Sequence, residues 1–430
     1  MYIDTIRLKN FRTFRATEID FVHPNQNFVA ASASGAKARK PSPTISLPKP
    51  QLPNINLLLG NNGFGKTTLL KAIAIAALGP SVPDANLPIY RLIRREPGEK
   101  GGAISQTESE IEARFTVHEQ DRHGVSHDFE WLESRAIISR IGDLERVRWG
   151  HTEEKEWHPI YSAESDAFFF VGYGATRRVE SQERVDLGAR QVTSFIRAQR
   201  IRSLFEESYS LLPLSLWLPQ LETSNPGRFT QVKHLIDRLL SGTGYTFTGV
   251  REQSEYLFER SSLRVPFPAL SDGYRAFLGW IGDLLYHITQ TCPSGKKLVD
   301  NRGIVMVDEV DLHLHPKWQM TVLPTLAKTL PNIQFIVTSH SPLIVGTLEW
   351  MNIILMKPGT RQTSKAERLE WAVHGLDADQ VLLTDFFGLA STRAPGKKRT
   401  LKELSLKARE GDTEAAKRLL EEMSRGVEVG

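Results

Sequence analysis

Residues 55–59 form a short apolar run, and Gly60-Asn61-Asn62-Gly63-Phe64-Gly65-Lys66-Thr67 follows it without a break. A helical pattern continues through Thr68 to Leu78 and stops at Gly79-Pro80, as a helix C-terminus does. A strand that breaks at a glycine-rich turn and resumes as a helix leaves few folds open. The run reads as a strand buried on both faces, which places it inside a mostly parallel sheet. The loop has the eight-residue phosphate-loop spacing. Its glycines let backbone N–H groups converge on phosphate oxygens, and the helix N-terminus adds partial positive charge. Lys66 is expected to reach the β- and γ-phosphates, and Thr67 to ligate Mg²⁺. Residues 60–68 are therefore the expected nucleotide-binding set, with ATP as substrate.

Three further segments follow. Leu270-Ser271-Asp272-Gly273-Tyr274 precedes a helix whose Phe277, Leu278, Ile281, Leu284, Leu285 and Ile288 share one face. Ser271 can simply cap that helix. Beside a phosphate loop, Ser271 and the Gly273 amide are instead expected to meet a γ-phosphate held by a second subunit. Ile304-Val305-Met306-Val307 then ends in Asp308-Glu309. Asp308 is placed to hold Mg²⁺ and Glu309 to polarise the attacking water; without the upstream loop the pair would read as acidic strand-end caps. Residues 333–338 form another buried strand, ending at Ser339-His340. A histidine there points into the crevice where α/β sheets bind ligands, toward the γ-phosphate and the water. Alone it would read as a core histidine.

The rest of the chain sets the frame. Ile6/Leu8 and Ile19/Phe21 alternate on either side of residues 10–14, which predicts two strands and a turn. Residues 23–53 are rich in Ala, Ser, Pro and Lys and read as a surface insertion. Alternation from 105 to 170, with turn signals at 121–124, predicts an antiparallel lid. Residues 190–243 carry helical spacing, and strands alternate with helices from 254 to 357. A charged helix is expected near 400–424. The expected layout is one domain over 1–430, in five parts. These are N-terminal strands and phosphate loop (1–104), lid (105–170), helical insertion (171–270), signature and catalytic core (271–358) and helical extension (359–430). With 54 basic and 50 acidic residues the net charge is +4, so any nucleic-acid affinity must be local. One cysteine, Cys292, excludes a disulfide framework. No signal peptide and no membrane-spanning run are legible, which predicts a cytoplasmic protein.

Together the four motifs resemble those of the ATP-binding-cassette ATPases, and residues 3–14, with Asn10-Phe11-Arg12-Thr13-Phe14, resemble the opening strands of the SMC/RecF-like branch. That resemblance implies a P-loop α/β core with an antiparallel lid and a helical signature subdomain. It also implies a homodimer, or a higher even-numbered homo-oligomer, closing around ATP. Asp311 stands where the family has its subunit-contact loop, and Arg12 is implied to contact the nucleotide. Asp272 and Tyr274 depart from the family's Leu-Ser-Gly-Gly-Gln, and Gly172-Tyr173-Gly174-Ala175-Thr176-Arg177-Arg178 occupies the place of its Mg²⁺-contacting glutamine. Residues 172–178, 272–276 and 374–380 further resemble small bacterial ATPases catalogued as predicted ATP-binding proteins involved in virulence. Their relatives include ATPase subunits of Septu and retron anti-phage systems, which imply a separately encoded effector, such as a nuclease.

No sustained heptads are present, so no long coiled coil is expected. Residues 359–430 lack the acidic pattern of the nuclease domain carried by OLD-type relatives. Two constellations stay open. Asp311-Leu312-His313-Leu314-His315 could present two imidazoles to a metal, or be the contact loop leading into a helix. Arg177, Arg178, Arg184, Arg190, Arg197, Arg200 and Arg202 could be a solvated helical face or a surface for DNA, RNA or a partner. Rival functions are a DNA-repair or chromosome-maintenance ATPase, a transporter's nucleotide-binding subunit, and a protein using ATP only as structural glue.

Overall fold

Two sheets enclose one apolar helix in this computed structural model, which describes residues 1–26, 28, 47–97, 103–118, 121, 130–142, 144–150, 168–179, 196–393 and 395–424. Strands β1 (Tyr2–Phe11) and β2 (Phe14–Asp20) pair with Phe11 opposite Phe14, so Arg12-Thr13 makes the turn. Asn10 and Arg12 take left-handed backbone angles there, with φ 52° and 47°. β3 (Ile55–Leu59) is buried throughout and leads into α1 (Lys66–Leu78). After a short pair, β4 (Arg95–Pro97) and β5 (Ala103–Ser105), come β6 (Glu108–Thr116), β7 (Trp131–Ile141) and β8 (Leu144–Trp149). These extend the N-terminal hairpin into one antiparallel sheet, ordered β2-β1-β6-β7-β8. The stretch expected as a lid is thus continuous with the opening strands.

β9 (Phe170–Tyr173) and the two-residue β10 (Arg178–Val179) follow, then α2 (Ile196–Phe205), β11 (Ser210–Leu211), α3 (Leu214–Ser224) and α4 (Pro226–Leu239). The expected helical insertion also holds a meander, β12 (Thr246–Glu252), β13 (Glu255–Arg260) and β14 (Leu263–Pro266). Positive φ at Gln253, Ser254, Ser261 and Ser262 makes its two tight turns. Then come α5 (Asp272–Thr291), β15 (Gly303–Val307), α6 (Pro316–Thr329), β16 (Ile333–Ser339), α7 (Pro342–Val345), β17 (Ile353–Pro358) and β18 (Ser364–Glu367). The central sheet has the order β18-β17-β3-β16-β15-β9, parallel except for the β17–β18 pair. β18 corrects the boundary expected at 359: the chain returns to pair with β17 before leaving the sheet.

α1 is apolar on every side because it packs both sheets. Leu69, Leu70, Ile73, Ile75 and Leu78 share a core with Ile6, Ile111, Phe115 and Ile138 of the antiparallel sheet, and with Leu58, Ile304, Met306 and Ile336 of the central one. Each such side chain contributes about 1.5–3 kcal/mol relative to exposure. Among the described residues the longest helix is α5, with 20 residues.

The chain divides into two compact units, Met1–Gly375 and Leu376–Gly430. The second holds α8 (Ala378–Leu383), α9 (Pro395–Arg409) and α10 (Thr413–Ser424). The single helix expected near 400–424 is therefore a hairpin, broken where Gly411 takes φ 97°. Asp412 Oδ1 restarts the chain by accepting the Glu414 and Ala415 N–H groups at 3.0 Å.

Candidate functional site

Four neighbouring strands of the central sheet deliver their polar residues to one edge. Gly60 follows β3, His340 follows β16, Asp308 follows β15 and Gly174 follows β9. This is the carboxyl edge, where parallel α/β sheets bind ligands. Lys66 turns back over the loop, its Nζ donating to Gly60 O at 2.6 Å and Asn61 O at 3.2 Å. Burial lowers its pKa, and the charges of Asp308, Glu309 and Asp311 oppose that. Gly65 N-caps α1 at φ 91°, and a Cβ there would run into Thr13 Oγ1 and the Phe14 ring at 2.7 Å. Glycine therefore lets the β1–β2 turn lie directly on the loop. Asn61, Asn62 and Gly63 are exposed, Phe64 is half-buried against the core, and Thr68 is buried.

Thr67 Oγ1 donates to Asp308 Oδ2 at 2.6 Å. The other carboxylate oxygen, Oδ1, accepts from Thr338 Oγ1 at 2.6 Å. That same hydroxyl accepts the Glu309 N–H at 2.7 Å. Glu309 has φ 50°, a left-handed conformation costing a non-glycine residue about 1–3 kcal/mol. It persists because its backbone is held from several sides. Val310 N donates to Thr338 O at 2.9 Å, and Arg177 donates to Asp308 O at 2.6 Å and to Glu309 O at 2.8 Å. Arg177 is 8% exposed, and burial lowers its pKa to about 10.

His340 is half-buried. Burial, then the charge of Lys66, lowers its pKa, while the carboxylates of Asp311, Glu309 and Asp308 pull it up. His340 Nε2, Asp311 Oδ1 and Thr13 Oγ1 are buried atoms without a protein partner. Buried polar atoms left without a protein partner fit a polar ligand. The donor set also suits Mg²⁺, which takes oxygen ligands from one or two carboxylates plus substrate phosphates. Thr67 and Asp308 are the residues that would hold it. Among the described residues no group of three or more His, Cys, Asp or Glu could hold a metal without such a substrate. The two imidazoles are not such a group: His313 is exposed, and His315 Nδ1 accepts the Lys317 N–H at 3.3 Å, capping α6.

The signature lies in a separate, open place. Ser271 and Asp272 are exposed, and Ser271 occupies the N-cap of α5 without a side-chain capping bond. Asp272 instead pairs with Arg275. At Gly273 a Cβ would collide with the His313 carbonyl, so the signature backbone rests directly on the loop that follows Asp311. Tyr274 packs between Tyr245 and Trp318, at 4.8 and 4.9 Å. A cleft of about 900 Å³ opens here, lined in part by Ser271, Gly273, Arg260 and Lys317.

Sequence reasoning missed Thr338 and misread Arg177. A hydroxyl buried in a mostly apolar strand is the available sign for Thr338. Within the basic stretch Arg177, Arg197 and Arg200 are buried, and Arg202 pairs with Glu206 at 2.7 Å. Arg184 and Arg190 lie outside the described residues, as do the 122–124 turn and most of the 23–53 insertion. Arg12 is exposed in the β1–β2 turn, and its charge helps lower the pKa of Lys71, after burial, on α1.

Residues 55–346 match the family model described as "AAA domain, putative AbiEii toxin, Type IV TA system". The chain belongs to that family. The Septu protein PtuA of Bacillus mycoides is 25% identical over 399 residues, 91% of this chain and 45% of that protein. The "Retron Ec83 probable ATPase" of Escherichia coli is 39% identical over 111 residues, 26% of this chain and 20% of that protein. The chain thus spans less than half the length of these relatives. Among solved structures, the SMC head domain from Thermotoga maritima superposes with a TM-score of 0.45 at 14% identity, covering 86% of this chain and all of that one. Among the described residues no helix is long and apolar enough to cross a membrane.

Proposed function

We propose that the chain is a Mg²⁺-dependent ATPase that works as a pair, and that its turnover gates a separately encoded effector, such as a nuclease, in anti-phage defence. The observation carrying the reading is the 2.6 Å bond between Thr67 and Asp308, which brings the phosphate loop and the strand-end carboxylates into one site. ATP lies along residues 60–68 with Lys66 against its β- and γ-phosphates. Mg²⁺, when bound by Thr67 and Asp308, neutralises charge on the phosphates. Glu309 orients the attacking water in line with the γ-phosphorus, and His340 supports the charge that develops there.

The second copy supplies Ser271 and Gly273 from its signature cleft, and Asp311 lies at the contact. The exposure of Ser271 in the single chain supports this division of labour. The defence role rests on the relatives' names, Septu and retron, and on coverage of only part of each.

Glu309→Gln keeps the shape of the site and removes the base. Turnover should fall by about 10²–10⁴-fold while ATP still binds and a dimer accumulates. Undiminished turnover would remove Glu309 from the mechanism. Salt-sensitive, ATP-dependent DNA binding by the isolated protein would favour a repair ATPase over effector gating.

A further inference from the structure

We propose that Arg177 is a positioning residue for hydrolysis, its guanidinium clamping the two peptide carbonyls that flank Glu309 and so fixing where that carboxylate stands. This rests on the ATPase reading. The Asp308 carbonyl belongs to the peptide entering Glu309, and the Glu309 carbonyl to the peptide leaving it. Arg177 donates to the first through Nη1 at 2.6 Å and to the second through Nη2 at 2.8 Å. The entering peptide is thereby held at both ends, because its N–H donates to Thr338 Oγ1 at 2.7 Å. A planar fork presents its two donors in one rigid geometry, whereas an ammonium on a flexible stem is not pre-organised in that way.

Burial reinforces the clamp. Arg177 is among the buried polar residues, so little water competes for the carbonyls. Its charge faces Asp308, Asp311 and Glu309. The segment carrying it is anchored at the other end too. Tyr173, the last residue of β9, donates its hydroxyl to Asp283 Oδ2 on α5 at 3.0 Å, and Asp283 Oδ1 accepts the Leu212 N–H at 2.8 Å. Residues 173–177 thus join the signature helix to the backbone of Glu309. Arg177 reaches main-chain carbonyls, and so acts through Glu309.

The test measures kcat, KM for ATP, ATP affinity and thermal midpoint for the full chain, for Arg177→Ala and for Arg177→Lys. Each substitution is also placed in a Glu309→Gln background. A misplacement of about 1 Å can cost about 10²-fold, so Arg177→Ala should lower kcat by that order while ATP affinity moves less than about 3-fold. Arg177→Lys should fall between, and added guanidinium should restore part of the Arg177→Ala turnover. On Glu309→Gln, Arg177→Ala should add less than about 3-fold, because the two act as a unit. If Arg177→Ala does not fold, the Lys variant and its Glu309→Gln double carry the same reading. Effects that multiply in the double variant, or a raised KM with unchanged kcat, would overturn the proposal. Turnover that needs Glu309 yet survives loss of Arg177 overturns it alone. Turnover indifferent to Glu309→Gln overturns the ATPase reading, and this proposal with it.

Discussion

The phosphate-loop edge and the signature cleft carry motifs of the same set, yet their polar groups are held very differently. At the loop edge the polar groups hold each other. Thr67, Thr338 and Arg177 pin Asp308 and Glu309, and a left-handed Glu309 is maintained by its neighbours. At the cleft Ser271 faces solvent uncapped, and the fit is one of backbone on backbone. On the proposed reading, the difference teaches that cis chemistry is built into the monomer, while the signature is a surface for a second copy. Single-chain properties should therefore depend strongly on the first region and weakly on the second.

The sharpest way to break that contrast is at Thr338. Thr338→Val leaves the Glu309 N–H and one Asp308 oxygen without their partner, which should cost about 1–3 kcal/mol in stability. The resulting shift of Glu309 should slow turnover by about 10²-fold, and Thr338→Ser should recover most of it. Denaturant midpoints beside steady-state rates would check both. Normal turnover in the Val variant would mean that Glu309 needs no such support.

The unequal legibility of the two regions has the same origin. Lys66, Thr67 and Asp308 were readable because phosphate binding demands fixed spacing next to a buried strand. Thr338 and Arg177 were not, because they bond to carbonyls, an N–H and one carboxylate across distant segments, and main-chain partners leave no sequence pattern. Arg177 was hidden further inside a run of arginines that composition assigns to the surface. β18 escaped notice because Ser364-Lys365-Ala366-Glu367 has almost nothing apolar to alternate; its pairing to β17 makes it a strand. The meander of β12, β13 and β14 falls within the expected helical insertion because the last helical spacing ends just before it. Burial on both faces, by contrast, made β3, β15 and β16 plain.

On the signature side, Gly273→Ala sets a Cβ against the His313 carbonyl. Crowding of that kind costs about 1–3 kcal/mol, and here it should displace the signature while leaving ATP affinity of the isolated chain unchanged. Equilibrium ATP binding and turnover, measured together, should separate: binding intact, turnover lost. A parallel loss of binding would erase the distinction between the two regions.

The smallest expected effect is in pH. The His340 pKa is lowered in the folded chain, first by burial and then by Lys66, relative to about 6.5 when unfolded. The unfolded chain therefore takes up the proton more readily, so stability is full above about pH 6.5 and declines as pH falls below it. Thermal midpoints of the wild type and His340→Gln should converge on acidification; a wild-type advantage that grows in acid would mean that His340 is stabilised as the cation.

The central claim, that one chain's loop edge works only with another chain's signature, is tested most directly by mixing two inactive variants. Ser271→Arg blocks the cleft and keeps Glu309, whereas Glu309→Gln keeps the cleft and loses the base. A two-fold pair of the two contains one intact composite site, so an equimolar mixture should regain about a quarter of wild-type turnover by random pairing. A mixture as inactive as its components, with mixed pairs shown to form, would contradict the account.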